Sequence, residues 1–132
     1  MLYQSGEKYM SDDLKFHLKA AREKRLAALD EFEKKRNSVV GDLAIKAVEQ
    51  AIEVLAASEG KHFHATPRSA HRNRIVWIKE ELPSVSKDLD ELWGAYGALG
   101  YEGLNGERAE RAIAAMERVF DEIERAAKVN LK

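Results

Sequence analysis

Between residues 61 and 74 the chain reads Lys-His-Phe-His-Ala-Thr-Pro-Arg-Ser-Ala-His-Arg-Asn-Arg. Lys61, Arg68, Arg72 and Arg74 share this stretch with three of the four histidines (His62, His64 and His71), and it contains no carboxylate. The whole chain carries a net charge of −1, so the stretch is a local positive island. Such an island attracts phosphates or carboxylates, and imidazoles exchange protons near neutral pH. The expected phosphate- or nucleotide-binding set is Arg68, His71, Arg72, Asn73, Arg74 and His64. His71 has two readings. Spaced with Ile75 and Ile78, it is a histidine at the core margin with one nitrogen hydrogen-bonded. At the start of a helix that follows Arg68, it is an anion-binding group beside free N–H donors and a positive dipole end.

Other chemistries find less in the sequence. His62-Phe63-His64 with His71 invites zinc, but zinc needs three or four Cys, His or carboxylate ligands, and neighbouring arginines repel a cation. No metal site and no cofactor are expected. There is no cysteine for a thiol nucleophile, a disulfide or a thiolate ligand, and no Gly-x-Ser-x-Gly elbow. Carboxylate pairs such as Glu80-Glu81 and Glu49 with Glu53 lie beside lysines and arginines, where solvated ion pairs are the default. Nucleic-acid phosphates fit the arginines, and Phe63 or Trp77 can stack on unpaired bases.

The elements that hold the island follow from apolar spacing. At 132 residues, 45% hydrophobic and 34% charged, the chain fits one folded domain. Residues 1–10 lack helical periodicity and read as a flexible arm; residues 11–132 read as the domain. Ser11 caps a first helix running to about Asn37, with Leu14, Leu18, Ala21, Leu29 and Phe32 on one side. Arg22 and Arg25 flank that stripe, their stems covering apolar surface. Gly41-Asp42 opens a second helix that ends near Gly60. Its polar residues, Lys46, Glu49, Gln50 and Glu53, form one narrow face, so it belongs at the centre of the fold. A third helix spans about Ser69 to Leu82 and stops at Pro83, with His71, Ile75, Ile78 and Leu82 on one face. Ser84 caps the fourth, whose stripe is Val85, Leu89, Leu92, Tyr96 and Leu99; it frays by Gly100 into a turn through Gly106. The fifth carries Ala109, Ile113, Met116, Phe120, Ile123 and Ala127. Without strand signals, the expected fold is an all-α, up-and-down bundle of about five helices. No apolar run approaches the length of a membrane span, and the expected setting is the cytoplasm. Few glutamines beside many Lys, Arg and Glu would suit a thermophilic source.

Three passages resemble the HEPN superfamily of helical-bundle domains, nearest its archaeal paralogous-repeat branch. They are the alanine-rich helix from Ala44 to Glu53, the helix start Thr66-Pro67-Arg68-Ser69-Ala70-His71, and the segment from Tyr96 to Gly106. Many members of that superfamily cleave RNA with an arginine and a histidine four to six residues apart. A frequent local form is Arg-Asn, three residues, then His. This chain matches with Arg72-Asn73 but has Trp77 in the histidine's place. Indole N–H only donates and cannot relay a proton at neutral pH. The resemblance therefore implies a domain without that nuclease motif. It also implies a homodimer or a heteromeric protein partner, with Trp77 as interface candidate or, alternatively, partly buried under the loop. The leading expectation is a non-catalytic interaction or phosphate-, nucleotide- or RNA-binding module. The alternatives are an endoribonuclease or toxin using His62 or His64, and a purely structural adaptor.

Overall fold

The computed structural model describes residues 11–101 and 106–132, and the side chains of these apart from 64 and 95–101. Five helices follow one another: α1 (Asp12–Glu33), α2 (Asn37–Ser58), α3 (Pro67–Glu81), α4 (Ser86–Tyr101) and α5 (Gly106–Ala127). Short 3-10 turns at Phe63–Ala65 and Pro83–Val85 lead into α3 and α4. No strand occurs among the described residues, and the chain is an all-α bundle. The expected arm at residues 1–10 and the turn at 102–105 lie outside the described residues.

Helix α2 is the centre. It packs against α1, α5, α4 and α3, and Val40, Ala44, Ala47, Val48, Ala51, Ile52, Val54 and Ala56 are completely buried. Small side chains at 44, 47, 51 and 56 let neighbouring backbones come close, while Ile52 and Leu55 fill the space between. Each large aliphatic buried this way contributes about 1.5–3 kcal/mol. The α5 stripe meets it with Ala109, Met116, Phe120 and Ile123 as expected, joined by Ala112, Ala115 and Val119. Buried Leu14, Leu18, Ala21 and Ala28 of α1 close the other side. Arg25 at the edge of that stripe reaches α5, where Glu117 accepts from its Nε at 2.6 Å and its Nη2 at 2.8 Å. That hydrogen-bonded carboxylate raises the arginine's pKa further above its ordinary value.

The break between the first two helices differs from the sequence expectation. Helix α1 ends at Glu33 and α2 starts at Asn37, so Gly41 lies buried inside α2 rather than opening it. The chain turns at Lys35, whose φ of 62° is left-handed. Arg36 N–H donates to Glu31 C=O and Lys35 N–H to Phe32 C=O. This is the double hydrogen bond that usually closes a helix on glycine. Gly60 (φ 77°) makes the same pair of bonds after α2, through Lys61 N–H to Ala56 C=O and its own N–H to Ala57 C=O. At the α1 cap the expectation holds, with Ser11 Oγ accepting from Leu14 N–H at 3.1 Å. Ser84 does not cap α4: residues 83–85 form a separate turn, and α4 starts at Ser86 and runs through Gly94, Gly97 and Gly100 to Tyr101.

Candidate functional site

Pro67 begins α3, where its fixed φ suits the first helical position and no N–H is lost. The buried positions of α3 are Ala70, Arg74 and Ile78. The inward face is thus rotated by about one residue from the expected His71–Ile75–Ile78–Leu82 line. Arg74 is the correction this brings. It was expected to meet ligand anions, yet it is 9% exposed and its guanidinium is engaged inside the protein. Glu53 Oε2 lies 2.9 Å from its Nε and 2.8 Å from its Nη2, and Glu49 Oε2 lies 3.3 Å from its Nη1. Glu53 is 1% exposed. Glu49 and Glu53 of the polar face of α2 are therefore not solvated ion pairs but the place where α3 docks.

His71 lies one turn before Arg74, more than half exposed, and both its ring nitrogens are engaged. Nδ1 is 2.9 Å from Glu49 Oε2, and the Trp93 indole Nε1–H donates to Nε2 at 3.0 Å. Accepting at Nε2 requires the tautomer with hydrogen on Nδ1, which then donates to Glu49. The two rings are tilted at 40° with centroids 5.1 Å apart. A chain of polar contacts thus runs Trp93–His71–Glu49–Arg74–Glu53 across α4, α3 and α2. This histidine is a bridge between helices with no nitrogen left for a ligand's proton.

Asp13 of α1 faces the other end of the island. Its Oδ2 is 2.8 Å from His62 Nδ1 and its Oδ1 is 3.5 Å from Nε2 of the buried His17. Gln50 Oε1 lies 2.7 Å from His17 Nδ1. The His64 side chain lies outside the described residues. At the far end of α3, Glu81 approaches Glu59. Desolvation, followed by the hydrogen bond and charge repulsion from Glu81, pushes the Glu59 carboxyl up, against a smaller opposing pull from Lys61.

Arg68 and Arg72 remain. They are four residues apart on α3, hence about 6 Å along one face. Both are exposed, and no carboxylate among the described residues pairs with either. Arg72 and Val76 form a ridge between two depressions. On one side Ser69, Asn73, Trp77 and Glu80 complete an open surface of about 370 Å³. There Asn73 Nδ2 donates to Ser69 Oγ at 3.1 Å. Trp77 is half-buried, its ring 5.5 Å from that of Phe63. On the other side lies a groove of about 170 Å³ between α3 and α4, lined by His71, Arg72, Ile75, Val76, Lys79, Leu89, Asp90 and Trp93.

Of the expected set, then, Arg68, Arg72 and Asn73 lie together on the outer face of α3, His71 is its neighbour on the α4 side, and Arg74 points inward. Sequence reasoning missed Trp93, Glu49, Glu53 and Asp13 as partners of the island. Only Trp93 left a signal, as an aromatic beside Leu92 and four residues after Leu89, at the margin of a buried stripe. Among the described residues no group of three or more His, Asp or Glu is placed to hold a metal ion, and no helix is long and apolar enough to cross a membrane. A scan against protein-family models, a search of curated proteins and a search of solved structures gave no match.

Proposed function

We propose that this chain is a non-catalytic, HEPN-like helical module that binds a phosphate-bearing ligand, a nucleotide or single-stranded RNA, on the outer face of α3. The observation that carries the reading is the contrast within the island. Arg74, His62 and His71 are matched by carboxylates of α1 and α2, whereas Arg68 and Arg72 are exposed without one among the described residues. Two guanidinium groups one turn apart suit successive phosphates, since each offers a planar fork of donors. Trp77 and Asn73 beside Arg72 offer a ring and an amide to a base. The engagement of both His71 nitrogens supports a binding role over proton transfer. The module is proposed to work as a homodimer or beside a protein partner, which light scattering on the purified chain decides.

A second reading rests on Asp13 and His62. A carboxylate behind an imidazole orients it for acid–base work, and a ribonuclease would use His62 in that role. One experiment separates the two: incubation of the chain with labelled mixed-sequence RNA, scored for both retention and cleavage. Retention without cleavage, weakened by Arg68→Glu and Arg72→Glu, supports the module. Cleavage abolished by His62→Ala supports the nuclease.

A further inference from the structure

We propose that the groove between α3 and α4 is a separate site for a compact monocarboxylate with an apolar body, either aromatic or branched aliphatic. It lies across the Arg72–Val76 ridge from the surface proposed for phosphates and takes a different ligand. Its volume, about 170 Å³, sets the size. An apolar cavity of about 150 Å³ accepts benzene, so one ring or one short branched chain fills the groove.

The lining sets the chemistry. Ile75 and Val76 of α3 face Leu89 and Trp93 of α4. Val76 is 52% exposed, a large apolar side chain that an apolar ligand would take out of water. The polar groups of the walls are nearly all engaged. The Trp93 N–H is held by His71, both His71 nitrogens are in use, and Lys79 Nζ lies 2.7 Å from Asp90 Oδ1. A sugar or a nucleobase edge would find few donors or acceptors and would lose its own hydration uncompensated. Arg72 alone among the described lining residues offers a cation that no carboxylate matches. One apolar body and one negative head is the ligand that this inventory complements. The Trp93 wall is held in place by His71, which Glu49 holds in turn, so little ordering cost falls on binding.

The test is a titration of the full chain with sodium benzoate, 3-methylbutanoate and benzyl alcohol, reading the indole Nε1–H resonance of Trp93. The chain has two tryptophans, and Trp77→Phe assigns the pair. Both carboxylates are expected to shift the Trp93 signal saturably, with neutral benzyl alcohol at least about tenfold weaker. Arg72→Gln should reduce the carboxylates to the level of the alcohol. Val76→Trp, at an exposed position, should fill the groove and abolish every shift while the circular dichroism stays helical. The proposal is overturned by no saturable shift up to roughly 20 mM benzoate, by equal affinity for benzoate and benzyl alcohol, or by binding that survives Val76→Trp. Arg68 does not line the groove, so Arg68→Glu should leave benzoate binding unchanged while weakening RNA. Arg72 is shared by the two sites, and Arg68→Glu is the change that tells them apart.

Discussion

Glu53 and Arg74 form a buried ion pair that fastens α3 to the central helix: one carboxylate oxygen accepts from both Nε and Nη2 of the guanidinium. α3 otherwise shows a mostly exposed surface, with only Ala70 and Ile78 buried beside the arginine. The pair therefore does much to fix where Arg68 and Arg72 stand.

Removing one partner of such a pair strands the other charge at low dielectric. Arg74→Met should cost about 3–5 kcal/mol, a large share of the roughly 5–15 kcal/mol that stabilises a domain of this size. Adding Glu53→Leu to it should recover most of the loss, because two apolar side chains of similar volume need no solvation. Urea midpoints of the two variants measure this. A loss below about 1 kcal/mol for the single change would mean that Glu53 stays compensated without the guanidinium.

Lys35 supplies a second prediction. It takes a left-handed conformation at the closing position of α1, where glycine meets no steric penalty. Lys35→Gly should raise stability by about 0.5–1 kcal/mol, the relief of strain exceeding the extra freedom gained by the unfolded chain. Thermal unfolding of the variant checks the sign. The same change at Lys34, where φ is −80°, should destabilise.

These two residues also show why the fold was more legible than the site. Helical spacing exposed every helix because burial against a common core repeats along each of them, as in Leu89 and Leu92 or Met116, Phe120 and Ile123. The α1–α2 break escaped because the chain turns on a lysine, and Gly41, the residue that reads as the opening of α2, lies buried inside it. The site failed differently. Residues 61–74 contain no carboxylate, so the island looked uniformly cationic, but a charge is matched in space and not along the chain. Asp13, Glu49 and Glu53 stand 21 to 49 residues upstream of the groups they match. Nothing local distinguished Arg74, which is engaged, from Arg72, which is not. A one-residue rotation of α3 decides that, and it depends on how α3 sits on α2.

Glu59 makes stability depend on pH in a known direction. Its folded-state pKa is raised by desolvation and by Glu81, so the folded chain holds that proton more tightly than the unfolded chain. The resulting stabilisation is fully present below the ordinary carboxylate range and is lost as pH rises through the lifted value. Glu59→Gln removes the titration. Since Glu59 is exposed, solvent screening keeps the effect below about 0.5 kcal/mol. The variant should be the more stable chain at pH 7, and its advantage should shrink towards pH 4. Urea midpoints across that range test it; an advantage that grows on acidification would show that Glu59 is held ionised.

The phosphate reading makes a quantitative claim about salt. If Arg68 and Arg72 each neutralise one phosphate of single-stranded RNA, the logarithm of affinity falls with that of salt at a slope near −0.7 per contact, so about −1.4 in all. Between roughly 50 and 200 mM salt the affinity should drop about sevenfold. Arg72→Gln leaves one contact, so the variant should bind more weakly at low salt and lose only about threefold over the same range. Arg74→Lys provides the control, because its guanidinium faces Glu53 and Glu49 rather than the outer surface. It should lower stability while leaving the salt slope unchanged. Filter retention of a labelled oligonucleotide at four salt concentrations yields all three slopes. A wild-type slope near zero would remove the arginines from any role in phosphate binding, and an Arg72→Gln slope equal to wild type would move the contact elsewhere on α3.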